Sequence, residues 1–379
     1  MEDKEHPKKK GLKDLMQEIE SEKKKKKNKK KSEKGTKTKP DFLKNNMDYS
    51  QSDFKGLKNF GNSCYSNVVI QILTSIPEFL STLSKRYNLN ENENDLMIDY
   101  PILSRIMEII ENYKSKNTSL ASNYLKEIVK KFDNSGNQND AHEFLFFLLN
   151  SLNLELIKIE TKYNLIKEEK KDNEDEEWEE VKQNGKTMKQ TNSIKNFQTS
   201  ILGNVFQGII KQDIIQKGKS ISNCQIEPFF SLHLDNDEKT IDLMFQKFFS
   251  KRNIEGNNDK SSQSFIEKLP EIFIVNVKGF FYDKKNKKVV KIKEPLIYED
   301  KLTLKKEYFS PCLRNKDVVF ELIGAIIHKG NLATEGHYIC YCKDKQDGVW
   351  YYLDDNKVIK VAVDVVHQLR PYILFYRKC

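Results

Sequence analysis

The sequence is poor in the residues that cross-link small secreted domains, and it lacks the long apolar runs that cross membranes. Its 379 residues include six cysteines, which have neither the density nor the regular spacing of a disulfide framework. We therefore expect a reducing compartment, the cytoplasm or the nucleus. No apolar run is long enough to span a bilayer, and no apolar stretch near Met1 resembles a signal peptide. The sequence predicts no membrane partner.

The net charge of +9 is concentrated at one end of the chain. Residues 1–40 contain sixteen lysines and eight acidic residues, so they carry +8 and the other 339 residues carry about +1 (9 − 8). We predict that residues 1–50 form a disordered, Lys-rich tail, because such a sequence has nothing to bury. A nuclear-import signal, a contact to nucleic acid or acidic lipid, and a solvated leader without a role all stay open. Sequence-specific nucleic-acid binding is not predicted, because no aromatic residues are interleaved with the lysines.

Apolar periodicity predicts an α+β fold class. Helical spacing recurs after Cys64 and over residues 100–113, 120–132 and 140–156, so the front half is predicted to be helical. From Ser200 onward, short alternating runs predict antiparallel strands. The charged residues from about 158 to 195 are interpreted as a surface insertion or disordered loop, and residues 251–263 as a mobile loop.

Cys64 is the candidate nucleophile, because it falls where a turn becomes a helix. Asn62 or Ser63 is a natural N-cap, and Val68, Val69, Ile72, Leu73 and Ile76 follow at helical spacing. In the first turn, unpaired amides and the helix dipole favour a thiolate over a thiol. A free cysteine with a pKa of about 8.5 is only slightly ionised at neutral pH, so a nearby imidazole is also needed.

A hairpin near the end of the chain supplies the candidate base, His337, and the candidate orienting acid, Asp354. We predict strands from His337 to Lys343 and from Gly348 to Asp354, joined by a turn. If Lys343 pairs with Gly348, Asp354 lies directly across from His337, within reach of a hydrogen bond that fixes the imidazole. A register shifted by one residue would place Asp355 there instead.

Three ordered segments resemble the signature motifs of ubiquitin-specific proteases. They are Gly56 to Asn67, Gln138 to Phe144, and Gly336-His337-Tyr338 together with Trp350 to Asp355. The resemblance implies a papain-like cysteine protease domain over residues 54–377, with a helical thumb and an antiparallel β palm and fingers. It also implies ubiquitin and ubiquitinated proteins as partners, with cleavage after the C-terminal glycine of ubiquitin.

The compact layout and the ending Tyr372 to Tyr376 particularly resemble the small, β-propeller-activated members of that family. A β-propeller activator is therefore a possible partner. No cofactor is predicted.

Asp140 and Glu143 are the candidate residues for binding substrate. Three residues apart at a helix start, they share a face, and the resemblance implies that they hold the arginines of the ubiquitin tail. The alternative is that both are ordinary acids favoured by the helix dipole. His142 points away from that face and is predicted to be structural or exposed rather than catalytic.

Asn59 stands five residues before Cys64, and the resemblance implies that its amide donates to the oxyanion formed when the thiolate attacks a carbonyl. Backbone amides at Cys64 would assist. The alternative is a turn-forming asparagine that only satisfies local backbone groups.

The chain departs from the family pattern in the fingers. Many members bind a structural zinc through two Cys-x-x-Cys pairs, which would fall near residues 214–219 and between residues 243 and 272, and this chain has neither pair. We predict no zinc. The chain also has Gly279 where members often have an arginine, which puts a palm-to-fingers contact in doubt.

The sequence leaves three classes of function. The first is an active deubiquitinase, and the second is a catalytically weak ubiquitin-binding scaffold, suggested by the missing zinc ligands and by Gly279. The third is a nucleic-acid-associated protein that acts through its basic tail. Retention of Cys64, His337 and Asp354 favours the enzyme.

Overall fold

The computed structural model describes residues 54–87, 98–162, 178–183, 186–191, 199–216, 223–235, 238–254, 257–283, 287–292, 294–330 and 335–379. The predicted Lys-rich tail, residues 1–50, lies outside the described residues. The described helices are α1 (Cys64–Thr74), α2 (Pro77–Tyr87), α3 (Pro101–Lys114), α4 (Thr118–Phe132), α5 (Ala141–Lys162), α6 (Ile201–Phe206), α7 (Ile241–Phe249) and α8 (Val363–His367). None of these described helices is both long and apolar enough to cross a membrane.

The described strands alternate with short turns through the second half of the chain. They are β1 (Trp178–Gln183), β2 (Lys186–Thr191), β3 (Gly208–Gln216), β4 (Asn223–Phe229), β5 (Ser231–Leu234), β6 (Arg252–Ile254), β7 (Asn257–Lys268), β8 (Ile272–Val277), β9 (Phe280–Asp283), β10 (Lys288–Lys291), β11 (Lys301–Leu304), β12 (Val318–Lys329), β13 (His337–Lys343), β14 (Trp350–Asp354), β15 (Lys357–Val361) and β16 (Ile373–Lys378). The α+β class predicted from periodicity is confirmed.

An eight-stranded sheet forms the palm, in the order β15-β14-β13-β12-β16-β8-β5, with β11 also paired to β12. Its strand pairs are antiparallel except for β5 and β8, which are parallel. A four-stranded sheet, β4-β3-β7-β6, forms the fingers, and the helices before Lys162 form the thumb. This is the arrangement that the family resemblance implies.

Both faces of the palm are buried at its central strands, which explains why a strand such as β8 is almost continuously apolar. In β8 all six residues are buried: Ile272 and Ile274 pack with the thumb helices, whereas Phe273 and Val275 pack on the opposite face. Successive strand residues point to opposite faces, so one strand serves two cores.

Helix α1 lies between the thumb and the palm and is buried on all sides. The five apolar residues predicted to face inward, Val68, Val69, Ile72, Leu73 and Ile76, are at most 1 % exposed. Its polar residues Ser66, Asn67 and Gln71 are buried as well. A helix with no solvent face needs internal partners for its polar side chains, and the amides of Asn67 and Gln71 both donate to Asp355.

One loop prediction is wrong in the described residues. Residues 251–263 are predicted as a mobile loop, but residues 252–254 form β6 and residues 257–263 belong to β7, which pairs with β3 along the fingers. The segment is polar because the strand is partly exposed, although Ser261 and Ser264 are buried. In the charged insertion, α5 continues to Lys162, and residues 178–183 and 186–191 pair as an antiparallel hairpin. The rest of the insertion lies outside the described residues.

Candidate active site

Helix α1 begins at Cys64, so the predicted position of the thiol in the first turn is confirmed. Ser63 occupies the N-cap position, but its hydroxyl does not cap the helix. It accepts a hydrogen bond from the Phe60 amide at 3.0 Å and donates to Asn59 Oδ1 at 3.2 Å. The Ser63 side chain therefore tightens the turn that presents Cys64.

His337 and Asp354 form a hydrogen-bonded pair, with His337 Nε2 2.6 Å from Asp354 Oδ1. The other carboxylate oxygen of Asp354 accepts a hydrogen bond from the Tyr352 hydroxyl at 2.6 Å. Because Nε2 is held by the acid, Nδ1 is the ring nitrogen left for the sulfur of Cys64. This is the order of nucleophile, base and orienting acid expected of a catalytic triad.

The electrostatics of the pair favour a charged imidazole. Interaction with the Cys64 side chain raises the pKa of His337 to about 9; burial opposes this rise, and Asp354 adds to it. Burial by itself raises the pKa of Asp354, but hydrogen bonds from Tyr352 and His337 outweigh it and hold that pKa below its ordinary value. The site is therefore arranged to keep a proton on His337 near neutral pH.

The hairpin that carries the pair has a different register from the one predicted. Lys343 pairs with Trp350 rather than with Gly348, a shift of two residues. The physical reason is the turn: Gly348 adopts a φ of 70° and its amide bonds to the Asp344 carbonyl at 3.0 Å, so it belongs to the turn and not to the strand. A shift of two keeps every side chain on its predicted face, so Asp354 approaches His337 as a diagonal neighbour.

Asp355 has a different task from Asp354. Its Oδ2 is 3.9 Å from His337 Nε2, but its carboxylate accepts hydrogen bonds from Asn59 Nδ2 at 3.0 Å and from Asn67 Nδ2 at 2.8 Å. Its carbonyl accepts from Gln71 Nε2 at 2.9 Å. The acid thus ties the turn before Cys64 and helix α1 to the hairpin.

Sequence reasoning missed these links through Asn67 and Gln71. The available signal was that both lie on the same face of α1, four residues apart, in a helix that is largely apolar.

Gly56 is required where the chain enters the site. Its amide neighbour Leu57 donates to the Asp355 carbonyl at 2.9 Å, so residues 54–58 run against the turn after Asp354. A Cβ at position 56 would lie 2.3 Å from the Asn356 carbonyl oxygen. Only glycine permits this close approach of two backbones.

Asp140 and Glu143 are placed together but are not equivalent. Asp140 accepts hydrogen bonds from the hydroxyls of Tyr338 (3.1 Å) and Tyr372 (2.6 Å) and from the amides of His142 (2.7 Å) and Glu143 (3.1 Å). It caps α5 and joins it to the palm. Glu143 is exposed, and its side chain is therefore the one of the two that faces solvent.

Gln138 holds the loop before His337 against the thumb. Its Nε2 donates to the Gly336 carbonyl at 2.6 Å, and the Gly336 amide donates to its Oε1 at 3.2 Å. His142, predicted to be structural, bonds to Ser231 Oγ at 2.6 Å and stacks edge-on against His233. Burial, with help from His233, lowers the pKa of His142 to about 4, so it stays neutral.

The fingers do not fit the structural zinc that many family members bind. Cys224 lies on β4 opposite Asp213 of β3, and burial raises its pKa to about 11, which disfavours the thiolate that zinc requires. Lys211 Nζ is 3.3 Å from Asp213 and already supplies a positive charge there. Among the described residues, the one cluster with three possible metal ligands is His337, Asp354 and Asp355 at the active site.

We predict that the purified protein contains less than one equivalent of zinc and that chelators leave its melting temperature unchanged. The physical reason is that the fingers are held by strand pairing and packing rather than by metal. Elemental analysis and thermal unfolding with and without chelator measure both quantities. One tightly held zinc per chain, lost together with stability on chelation, would contradict the prediction.

Comparison with known proteins now identifies the family. A family model described as ubiquitin carboxyl-terminal hydrolase matches residues 55–376, most of the chain. The chain belongs to this family. Ubiquitin carboxyl-terminal hydrolase 10 of Rattus norvegicus is 26 % identical over an alignment of 388 positions that includes 86 % of this chain and 48 % of that protein. Ubiquitin carboxyl-terminal hydrolase 24 of Arabidopsis thaliana is 24 % identical, and the match covers 86 % of this chain and 64 % of that protein.

Solved structures support the same fold. A chain of the SAGA Ubp8/Sgf11/Sus1/Sgf73 DUB module bound to ubiquitin aldehyde has a TM-score of 0.66 and 24 % identity, covering 86 % of this chain and 70 % of that one. A chain of the Ubp8-Sgf11-Sgf73-Sus1 SAGA DUB module has a TM-score of 0.65 and 26 % identity, and the match covers 86 % of this chain and 68 % of that one. The chain spans about half to two thirds of the length of the curated relatives it matches.

Proposed function

We propose that the protein is a deubiquitinating thiol hydrolase that cleaves the bond after the C-terminal glycine of ubiquitin. The observation that carries the proposal is the arrangement of Cys64 at the start of α1 beside a His337–Asp354 pair with a hydrogen bond of 2.6 Å. Membership of the ubiquitin carboxyl-terminal hydrolase family supplies the substrate class. The scaffold alternative requires no such pair.

The proposed reaction proceeds through a thioester. The Cys64 thiolate attacks the carbonyl carbon of the terminal glycine, and the resulting oxyanion is held by Asn59 and by the backbone amide of Cys64. His337, protonated in the resting state, gives its proton to the leaving amine as the C–N bond breaks. Water then attacks the thioester while His337 accepts a proton from it, which releases ubiquitin with a free C-terminal carboxyl group and restores the Cys64 thiolate and the protonated His337.

The surface that would receive ubiquitin lies between the thumb and the fingers. Glu143 is exposed there, and Phe146, three residues further along α5, is 50 % exposed. The Phe146 ring stands edge-on to Phe230, which precedes β5. An exposed aromatic beside an exposed acid is a combination suited to a basic peptide with apolar neighbours, such as the ubiquitin tail.

Reaction with ubiquitin that carries a C-terminal thiol-reactive group tests this proposal. We expect one covalent adduct per chain, detected by mass, and hydrolysis of ubiquitin–fluorophore by the unmodified protein. An adduct without turnover would favour the scaffold alternative. Absence of both with a folded protein would refute the assignment.

Asn59 is proposed as the side-chain donor to the oxyanion. One hydrogen of its amide is committed to Asp355, and an amide group has a second to offer. Asn59→Ala should therefore lower kcat by roughly 10²–10³-fold with little change in KM, because the oxyanion exists only in the transition state. Steady-state kinetics with ubiquitin–fluorophore measures both constants. A rise in KM with kcat unchanged would show that Asn59 only shapes the turn.

Replacing Asp140 and replacing Glu143 are expected to change different quantities, the free energy of unfolding and KM respectively. Glu143→Gln should raise KM roughly two- to fivefold at low salt and leave stability unchanged, because an exposed ion pair contributes about 0.5–1 kcal/mol. Asp140→Ala should lower the free energy of unfolding by about 1–3 kcal/mol, because buried tyrosine hydroxyls lose their acceptor.

Urea unfolding and an ionic-strength series of KM separate these two effects. Added salt should weaken the wild type more than Glu143→Gln, since only the wild type keeps the ion pair. Equal salt slopes would show that Glu143 is only a helix-start acid.

We also infer that a separate partner protein activates this one. The structural relatives are assemblies in which Ubp8 is joined by Sgf11, Sus1 and Sgf73. Resemblance to β-propeller-activated members makes a β-propeller the proposed class of activator. Pull-down followed by kinetic assay of the complex tests it, and an unchanged kcat/KM in every recovered complex would refute it.

A further inference from the structure

A groove of about 450 Å³ lies at the opposite end of α1 from Cys64. Its floor contains Phe54, Leu80, Ile110 and Tyr113, which come from the entry segment, α2 and α3. This volume is within the range of ligand-binding clefts. The proposed reaction does not use the groove.

The rim of the groove is strongly basic. Lys55, Lys114, Lys116 and Lys345 line it, against a single acid, Asp344. The lining therefore carries +3 (4 − 1), whereas residues 41–379 carry about +1 in total. Lys345 Nζ lies 3.5 Å from the carboxylate of Glu78, outside the lining. The same carboxylate lies 3.0 Å from Arg377 Nε, so Arg377 already neutralises the charge of Glu78.

We propose that this groove docks an acidic peptide segment of a partner protein, with one aromatic or large aliphatic side chain in the apolar floor. The four lysines come from three separate parts of the chain, residues 55, 114–116 and 345, so the positive charge of the lining is divided among three segments. Such a distribution suits carboxylates spaced along a peptide better than a single phosphate group. The apolar floor supplies the area that an anchoring side chain needs.

The position of the groove links it to the catalytic residues. Thr74 and Ser75 line it at the end of α1, about 16 Å along the helix from Cys64. Asp344 to Gln346 line it at the turn of the hairpin whose strands carry His337 and Asp354. A bound peptide therefore joins the far ends of the two elements that must hold the nucleophile and the base in register.

The test uses the full-length chain and a fluorescein-labelled Glu-rich peptide with one central Trp. We expect saturable binding by fluorescence anisotropy, weakened roughly tenfold or more by Lys114→Glu with Lys116→Glu. The charge-matched control is Lys305→Glu with Lys306→Glu, two exposed lysines beside β11, and it should bind as the wild type does. Replacing the peptide Trp by Ala should weaken binding to the wild type and have less effect in the groove variant.

Hydrogen exchange locates the site. Bound peptide should protect residues 74–77 and 343–348 together.

The basic tail is common to all three proteins, so equal affinities for wild type, groove variant and control would mean binding to the tail and would overturn the proposal. Protection confined to other segments would overturn it too. A dimer in sedimentation that the groove variant abolishes would assign the groove to a second copy of the chain instead. None of these readouts depends on hydrolase activity, so they stand or fall separately from the proposed function.

Discussion

Cys64→Ala is expected to abolish ubiquitin release while leaving ubiquitin binding intact. The thiolate is the atom that forms the thioester, so without it no covalent intermediate can form. The methyl group of alanine fills most of the space at the start of α1, where Cys64 is 3 % exposed, so the helix and the adjoining surface should keep their shape. Hydrolysis of ubiquitin–fluorophore and ubiquitin affinity by calorimetry measure the two effects separately.

The matched control is Cys312→Ala, because Cys312 is an exposed thiol on a short 3-10 helix distant in sequence from the site. This variant should keep full turnover and full reaction with the ubiquitin probe. His337→Ala should be nearly as inactive as Cys64→Ala, because the thiol then lacks the imidazole that shares its proton. Turnover near that of the wild type in Cys64→Ala would refute the assignment of the nucleophile.

The placement of Cys64 was predictable because the signals for it are local. A turn with asparagine and serine, followed by apolar residues at helical spacing, is sufficient to start a helix at that point. The α+β class was predictable for the same reason, since helical and strand periodicities occupy different halves of the chain. The polar strand β7 was missed because Asn257 to Gln263 lack the apolar alternation by which a half-buried strand is recognised.

The contact between His337 and Asp354 was predicted from a register that proved wrong by two residues. The predicted pair is nevertheless present, because side chains two residues apart in a strand point to the same face of the sheet, so a shift of two residues leaves each side chain on its predicted face. The turn could not be assigned correctly, because Gly348 fits either a strand or a left-handed turn residue, and its φ of 70° is set by the Asp344 contacts.

The role of Asp355 could not be predicted, because it depends on contacts between distant parts of the chain. Asn59 and Asn67 meet this acid across 296 and 288 residues of sequence. Its φ of 52° turns the side chain out of the strand pattern and toward α1. No spacing rule within the hairpin contains that information. The geometry thus separates the two neighbouring acids that the sequence left as alternatives.

Asp354→Asn is expected to lower kcat/KM by on the order of 10³–10⁴-fold and to move the basic limb of its pH profile to lower pH. Asparagine keeps the size of the side chain but not the charge, so the imidazole loses both its tautomer control and the partner that stabilises its proton. In the wild type the pKa of His337 is raised from 6.5 to about 9, so activity that needs the imidazolium should fall as pH rises through about 9. The same shift stabilises the fold below pH 6.5, and that contribution is lost as pH rises through about 9.

Asp355→Asn is the matched control for the pH experiment, because it changes the neighbouring charge while leaving the 2.6 Å contact of Asp354 in place. Its activity should fall through the loss of Asn59 positioning, but its basic limb should stay near that of the wild type, since its carboxylate is 3.9 Å from His337 Nε2 and bonded elsewhere. The measurement is kcat/KM from pH 5 to 10 in a constant ionic strength buffer for all three proteins. If the basic limb moved in Asp355→Asn and not in Asp354→Asn, the orienting acid would be Asp355, and the contact that defines the triad would have to be reassigned.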